Sequence, residues 1–392
     1  MKTAQRRMLG ALFFLFGVGI MGWVPRFPEV KENLNVGNGQ FGTLISMGAI
    51  GSVISLVVVG PLVHRFGSRK VMTASATVLF CAIAVIVHIS SEWQFLFCNM
   101  MIGAGISAFH IAVNSQALFE QSRERENLMP RLHGLWSVGA LTTAMLSGLL
   151  IGNVPLWIHI DALCAFVYIT ILILIKNISS SSLKGSKERR EDYSFKVLFN
   201  RNKIDWVMGL GATCALAIEY AIGDWAAIFS KEELHMSAGF SALPYVLFIL
   251  AMIIGRLNFH RVTEYIGIGK LIRICTLVGG TTFILAILIG VRVSKNSPTW
   301  GFVIVLGGLF ILGLGASFLA PTFMHTASNR SSSPGSVVIG QMGAINTSLV
   351  LVIKPIIAWT AQITSIAVAL LIPTAMLMLV ATFARTVQKA ND

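Results

Sequence analysis

GPLVHRFGSRK (Gly60–Lys70) closes one hydrophobic stretch and opens the next, and GRLNFHRVTEYIGIGK (Gly255–Lys270) does the same in the second half of the chain. His64-Arg65 and His260-Arg261 lie 196 residues apart, half of the 392-residue length. A charged turn repeated at that period, inside a chain this apolar, predicts two similar halves packed across a bilayer. Solute-moving membrane proteins are built on that plan.

The composition around the turns agrees. Hydrophobic residues make up 55% of the chain, charged residues 12%, and the mean hydropathy is +0.76. A soluble domain carries roughly twice that charge. Apolar runs long enough to cross a ~30 Å hydrocarbon core as helices recur throughout. They lack the period-2 alternation of membrane strands and use Leu, Met, Ala and Gly freely. The expected spans are 8–27, 40–63, 71–90, 94–118, 132–152, 156–176, 204–230, 240–258, 271–291, 300–325, 337–357 and 363–385. The fold class is therefore all-α and membrane-embedded, with twelve transmembrane helices in two pseudo-symmetric six-helix bundles. The first span follows Lys2, Arg6 and Arg7 as a signal peptide would, but it has no small-residue cleavage site and runs on into WVPRFPEV.

Charge sets the expected orientation. Loops on the side of the termini carry 24 Lys and Arg; the opposite loops carry six, namely Arg26, Lys31, Lys231, Arg292, Lys295 and Lys354. Both termini are thus expected in the cytoplasm of a bacterial inner membrane. The net charge of +13 is then topological, its partner the anionic lipid surface. No soluble domain offers the basic face that nucleic acid requires. The five cysteines fall within spans without metal-ligand spacing and read as small apolar residues. Only residues 177–203, Ser-rich and then charge-dense, are long enough for a linker. The expected domains are a bundle over 1–176, a cytoplasmic linker over 177–203 and a bundle over 204–392.

Six spans, a cytoplasmic linker and six more spans resemble the major facilitator superfamily. Its loop signature, G-x-x-x-D-R-x-G-R-R/K, is matched by Gly60, Arg65, Gly67, Arg69 and Lys70. The second copy keeps Gly255, Arg256, Arg261, Gly267 and Lys270. Within the superfamily, WVPRFPEVKENL (Trp23–Leu34), RLHGLWSVGAL (Arg131–Leu141) and EYAIGDWAAIF (Glu219–Phe229) are similar to the YbjJ-like bacterial permeases, distant relatives of fucose permease. The family's acidic turn residue is His64 in one copy and His260 in the other. A histidine donates hydrogen bonds to carbonyls at a helix end but carries no fixed negative charge for Arg65 or Arg261. The turns are either a gating latch, as the resemblance implies, or positive-inside anchors.

Polar residues at bilayer depth are costly and mark candidate sites. Glu219 lies roughly 22 Å into span seven, and Asp224 lies further out and about 140° around the helix. Glu219 is the candidate proton carrier and Asp224 the candidate at the outer mouth; the alternative is that both lock packing. In span four, Asn99, Gly103, Ser107, His110 and Asn114 fall within about 80° of arc. They make either a solute-facing stripe, with His110 and Asn114 as hydrogen-bonding contacts, or a packing seam. Span eleven places Met342, Asn346, Val350 and Lys354 at i+4 spacing, with Asn346 near mid-depth and Lys354 expected to snorkel to water. Pro321 and Pro355 are candidate breaks that free carbonyls. Trp23 beside Arg26 suits a sugar or carboxylate, or is an interfacial anchor. His133, Trp136, His159 and Asp161 are weaker candidates of the same kind.

No phosphate-binding loop, nucleophile triad or metal motif occurs, so neither an enzyme nor a cofactor is expected. The resemblance implies alternating access with proton-coupled uptake of a small polar solute, a sugar or related metabolite, by a monomer. Proton-driven efflux of amphipathic compounds is the alternative. A non-transporting membrane receptor would need a docking domain that the short loops do not supply.

Overall fold

The structure, a computed structural model, describes residues 2–124, 128–178, 204–331 and 335–391. Most of the linker expected over 177–203 lies outside the described residues, as does the side chain of His260. Every regular element among the described residues is helical.

The first unit comprises Met1–Asn35 and Leu44–Tyr193. Helix α1 (Lys2–Met21) leads through a 3-10 turn (Val24–Arg26) into α2 (Phe27–Leu34), with Pro25 and Pro28 in the first turns, where a missing N–H costs nothing. Next come the end of α3 (Asn38–Ser46), whose residues up to Thr43 belong to the second unit, then α4 (Gly48–Phe66), α5 (Ser68–Ile86), α6 (Glu92–Glu124), α7 (Met129–Leu150) and α8 (Leu156–Asn177). The second unit comprises Val36–Thr43 and Ser194–Asp392. It holds α9 (Trp206–Glu232), α10 (Leu243–Ile266), α11 (Ile268–Ser294), α12 (Pro298–Ala316), α13 (Leu319–Arg330), α14 (Gly335–Ile363), α15 (Ile366–Leu379) and α16 (Ala384–Asn391).

Among the described residues ten helical stretches are long and apolar enough to cross a membrane, and a shorter apolar helix covers Leu243–Phe259. The 22-residue α7 takes the place of the remaining expected span. Large apolar side chains such as Trp93, Phe97, Leu149, Phe166, Ile173 and Leu288 stand more than half exposed, as a lipid-facing surface requires.

The two charged turns fold alike. Gly67 takes φ +86° between α4 and α5, and Gly267 takes φ +73° between α10 and α11. Each donates its N–H to the residue four earlier, Val63 O at 2.8 Å and Thr263 O at 2.9 Å, and then opens the next helix. A side chain at either position would be strained, which accounts for the glycine in both copies.

Two spans are broken rather than continuous. The second breaks at Met47, between α3 and α4. There Asn99 of α6, buried, donates to Leu44 O at 3.0 Å and Ile45 O at 2.9 Å. Gly103 of the same helix packs so closely on Gly48 that a Cβ would meet the Gly48 carbonyl. The Ser52 and Ser55 hydroxyls bond the Gly103 and Ala104 carbonyls at 3.0 and 2.8 Å. Asn99 and Gly103 therefore serve the α4–α6 seam. The tenth span breaks between α12 and α13, at Ser317. Pro321 has no N–H to return to Ser317 O, its partner four residues back. Pro355, by contrast, lies inside the continuous α14.

Replacing Asn99 by Leu leaves Ile45 O without that donor and Leu44 O with the Met47 N–H at 3.3 Å. The expected loss is about 1–3 kcal/mol per unpaired carbonyl, read as a lower thermal midpoint of the detergent-purified protein. An unchanged midpoint would show that the break holds without Asn99.

Candidate functional site

In the second unit four charged groups within the spans, Glu219, Asp224, Arg256 and Lys354, gather on α9 and its neighbours. Tyr220 and Asp224, four apart on α9, face α14. Lys354 of α14 reaches Asp224 Oδ2 at 2.8 Å, and both side chains are largely buried. Its Nζ also stands 5.5 Å from the centre of the Tyr220 ring. The Tyr220 hydroxyl accepts from Asn346 Nδ2 at 2.9 Å. Asp224, Lys354, Tyr220 and Trp225 line a cavity of about 10 Å³, room for one water. Lys354 was expected to reach water; a carboxylate and an aromatic face one turn away hold it instead.

Glu219 points elsewhere, as a residue 100° around the helix from Tyr220 does. Its carboxylate lies 3.8 Å from Arg256 Nη2 of α10, and its Oε1 is buried with no hydrogen-bond partner. Arg256 Nε donates to Ser317 O at 2.8 Å, the carbonyl that Pro321 leaves open. The residue lies ten positions before the end of α10 at Ile266, about 15 Å along the helix from the turn. One guanidinium thus ties the break in the tenth span to Glu219.

The polar set of the first unit is built from imidazoles and rings. The exposed His110 of α6 and His133 of α7 meet edge to face with ring centres 5.9 Å apart. Phe13 stands 5.4 Å from His133, Phe16 stacks 6.2 Å from His110, and Phe109 lies 4.8 Å from Phe16. Asn114, one turn beyond His110, is half-buried, and its Oδ1 has no hydrogen-bond partner. Trp23 and Arg26 are not on an open face: Trp23 packs edge-on against Phe27 at 4.9 Å, and Arg26 is fully buried. Asp161 pairs with His88 at 2.9 Å.

In the turns, Gly60, His64 and Arg65 are exposed, and Arg65 covers the Phe66 ring at 5.2 Å. Arg69 donates to Lys176 O at 2.6 Å, holding the start of α5 to the end of α8. Gly255 packs against Ser317, and Arg261 is exposed. Of the turn residues whose side chains are described, Arg256 joins the charged set of the second unit.

The sequence reading passed over Tyr220, although its i+4 relation to Asp224 was visible. It also passed over the short segment Val36–Thr43, which belongs to the second unit. Trp359 Nε1 of α14 donates to Thr43 Oγ1 at 3.2 Å, Gly39 N–H to Gln362 Oε1 at 3.2 Å, and Asn38 Nδ2 to Glu232 Oε2 at 3.2 Å. Gly39 and Gly42 let that segment lie flat on Trp359 and Ala358.

The Major Facilitator Superfamily profile matches residues 9–353. An uncharacterised MFS-type transporter of Yersinia pestis is 27% identical over 383 residues, covering 96% of this chain and 94% of that protein. A mutant of the nucleoside transporter NupG superposes with a TM-score of 0.76 at 12% identity, over 98% of this chain and 99% of that one. A mutant of the Escherichia coli fucose:proton symporter FucP gives 0.65 at 17% identity, over 97% and 98%.

Lys354→Met strands the Asp224 carboxylate in a largely buried setting. A loss of about 3 kcal/mol is expected, with part of it recovered in the Asp224→Asn, Lys354→Met double variant. Thermal unfolding of the three variants measures both; additive losses would contradict a direct pair.

Proposed function

Since the chain belongs to the major facilitator superfamily and is a multi-pass membrane transporter, we propose that it is a secondary active transporter that takes up a small polar solute with protons. It works by alternating access, as a monomer, in a bacterial inner membrane with both termini cytoplasmic. The observation that carries the proton is Glu219. Its carboxylate sits at a long 3.8 Å from Arg256, with one oxygen buried and without a partner. Such a group gains on accepting a proton, because the neutral acid needs no counter-charge in an apolar setting. Arg256 then keeps only Ser317 O, so the charge state of Glu219 acts on the break in the tenth span.

His110 and Asn114 are the contacts proposed for the solute's hydroxyl or amide groups, and the Asp224–Lys354 pair with Tyr220 and Asn346 supplies polar contacts in the second unit. The Val36–Thr43 segment on Trp359 and Gln362 acts as an outer clasp that opens in the cycle. The resemblance in fold to transporters of a nucleoside and of a sugar is consistent with a polar solute. Proton-driven efflux of amphipathic compounds has one observation in its favour, the Phe13, Phe16 and Phe109 cluster behind His110.

Purified protein in liposomes, screened against sugars and nucleosides, tests the reading. Uptake of one such solute should alkalinise the outer medium. Glu219→Gln should abolish the proton signal and leave solute counterflow intact. Proton movement only when an amphipathic compound is expelled would move the function to efflux. Proton-coupled uptake undiminished in Glu219→Gln would remove the residue from the account.

A further inference from the structure

At the end of the first unit away from the N-terminus lie four buried side chains whose hydrogen-bonding capacity is not used up among the described residues. Arg26 is fully buried; its Nη1 donates to Glu29 Oε1 at 3.2 Å and its Nη2 to Val154 O at 2.9 Å, but its Nε has no partner. His159 is 5% exposed, and neither ring nitrogen has a partner. Thr143 and Ser147 are 1% and 0% exposed, and neither hydroxyl is bonded. Elsewhere on these helices a hydroxyl returns to the carbonyl four residues back, as Ser137 does to His133, Thr142 to Val138 and Thr170 to Phe166. Thr143 and Ser147 are turned away from that default.

Helical register brings the four together. Gly22, at the end of α1, is wedged between α7 and α8: a Cβ there would lie 2.8 Å from Thr143 Oγ1 and against the Leu163 side chain. Ser147 is one turn further along α7 than Thr143, and His159 is one turn nearer the start of α8 than Leu163. Both steps lead toward the short connection between those helices. Arg26 reaches that same connection through Val154 O. The connection ends at the N-terminus of the 22-residue α8, which no side chain caps. The first N–H groups of such a helix have no intrahelical partner and carry about half a positive charge.

These are one guanidinium N–H, two hydroxyls and an imidazole, all four side chains buried, beside a helix N-terminus. Glu29, partly exposed, balances Arg26 on its Nη1 edge; the Nε edge is left for a second acceptor. Unmet donors of this kind in a native protein call for a bound water or ion, and the positive end of a helix selects the anion. We propose that Arg26, Thr143, Ser147 and His159 bind a single inorganic anion of halide size at the N-terminus of α8. The ion ties the turn after α1 to α7 and α8, independently of the transport cycle.

Thermal unfolding of the purified full chain in sodium chloride, sodium bromide and sodium gluconate at equal ionic strength tests the site. A midpoint that rises saturably with chloride and bromide but not with gluconate is expected. The response should vanish in Thr143→Val, Ser147→Ala. Equal midpoints in the three salts overturn the proposal. So does a Thr143→Val, Ser147→Ala protein whose halide response equals that of the parent. Should that variant fail to fold, anomalous diffraction from bromide-grown crystals decides. A peak among the four side chains supports the anion, and water-like density without anomalous signal rejects it.

Discussion

A peptide carbonyl released from its helix inside hydrocarbon has no water to turn to, so the protein must bring a donor to it. That constraint organises the interior of this chain. Pro321 withholds its N–H from Ser317 O, and Arg256 supplies the donor from another helix. In the first unit it is the second span that opens, at Met47, and the Asn99 amide of the fourth takes the carbonyls of Leu44 and Ile45. The first unit meets the demand with a neutral amide and the second with a cation. The cation needs a counter-charge, and Glu219 stands 3.8 Å away. A backbone break, an arginine and an ionisable carboxylate are thereby linked in one unit of structure.

The two units divide polar chemistry between them. In the second, opposite charges on α9, α10 and α14 hold one another, with Asp224 on Lys354 and Glu219 on Arg256. In the first, imidazoles and phenyl rings make the open face, and buried Arg26 is drawn to the far end of the unit, against Glu29 and Val154. The Asp224–Lys354 contact is short and charge-assisted, whereas Glu219 has a long, one-sided contact. A pair of the first kind holds structure; the second kind can change its protonation at little structural cost.

Much of the architecture was legible from residue order. The repeated turns carry glycines whose positive φ is needed in both copies, at Gly67 and Gly267. Continuous apolar runs sufficed for most spans. The proline breaks were only half legible: Pro321 sits just past a break, whereas α14 runs unbroken through Pro355. Whether a proline breaks a helix depends on what neighbouring helices offer the freed carbonyl, and the local sequence does not record that. Arg256 was read with the turn because it is near Arg261 in sequence. Five residues of helix rotate it by about 140°, so one faces inward and the other outward. The Lys354–Asp224 pair joins residues 130 apart, and no periodicity within one span predicts such a partner.

Coupling of the proton to the break requires that Glu219 take a proton while Arg256 keeps Ser317 O. Infrared difference spectra of the reconstituted protein, recorded as pH is lowered, read the carboxylic acid C=O stretch directly. A protonated-acid band that appears in the parent, is missing in Glu219→Gln and shifts its pH dependence in Arg256→Gln is predicted. A band that persists in Glu219→Gln, or that ignores the loss of Arg256, would contradict the link between the proton and the break.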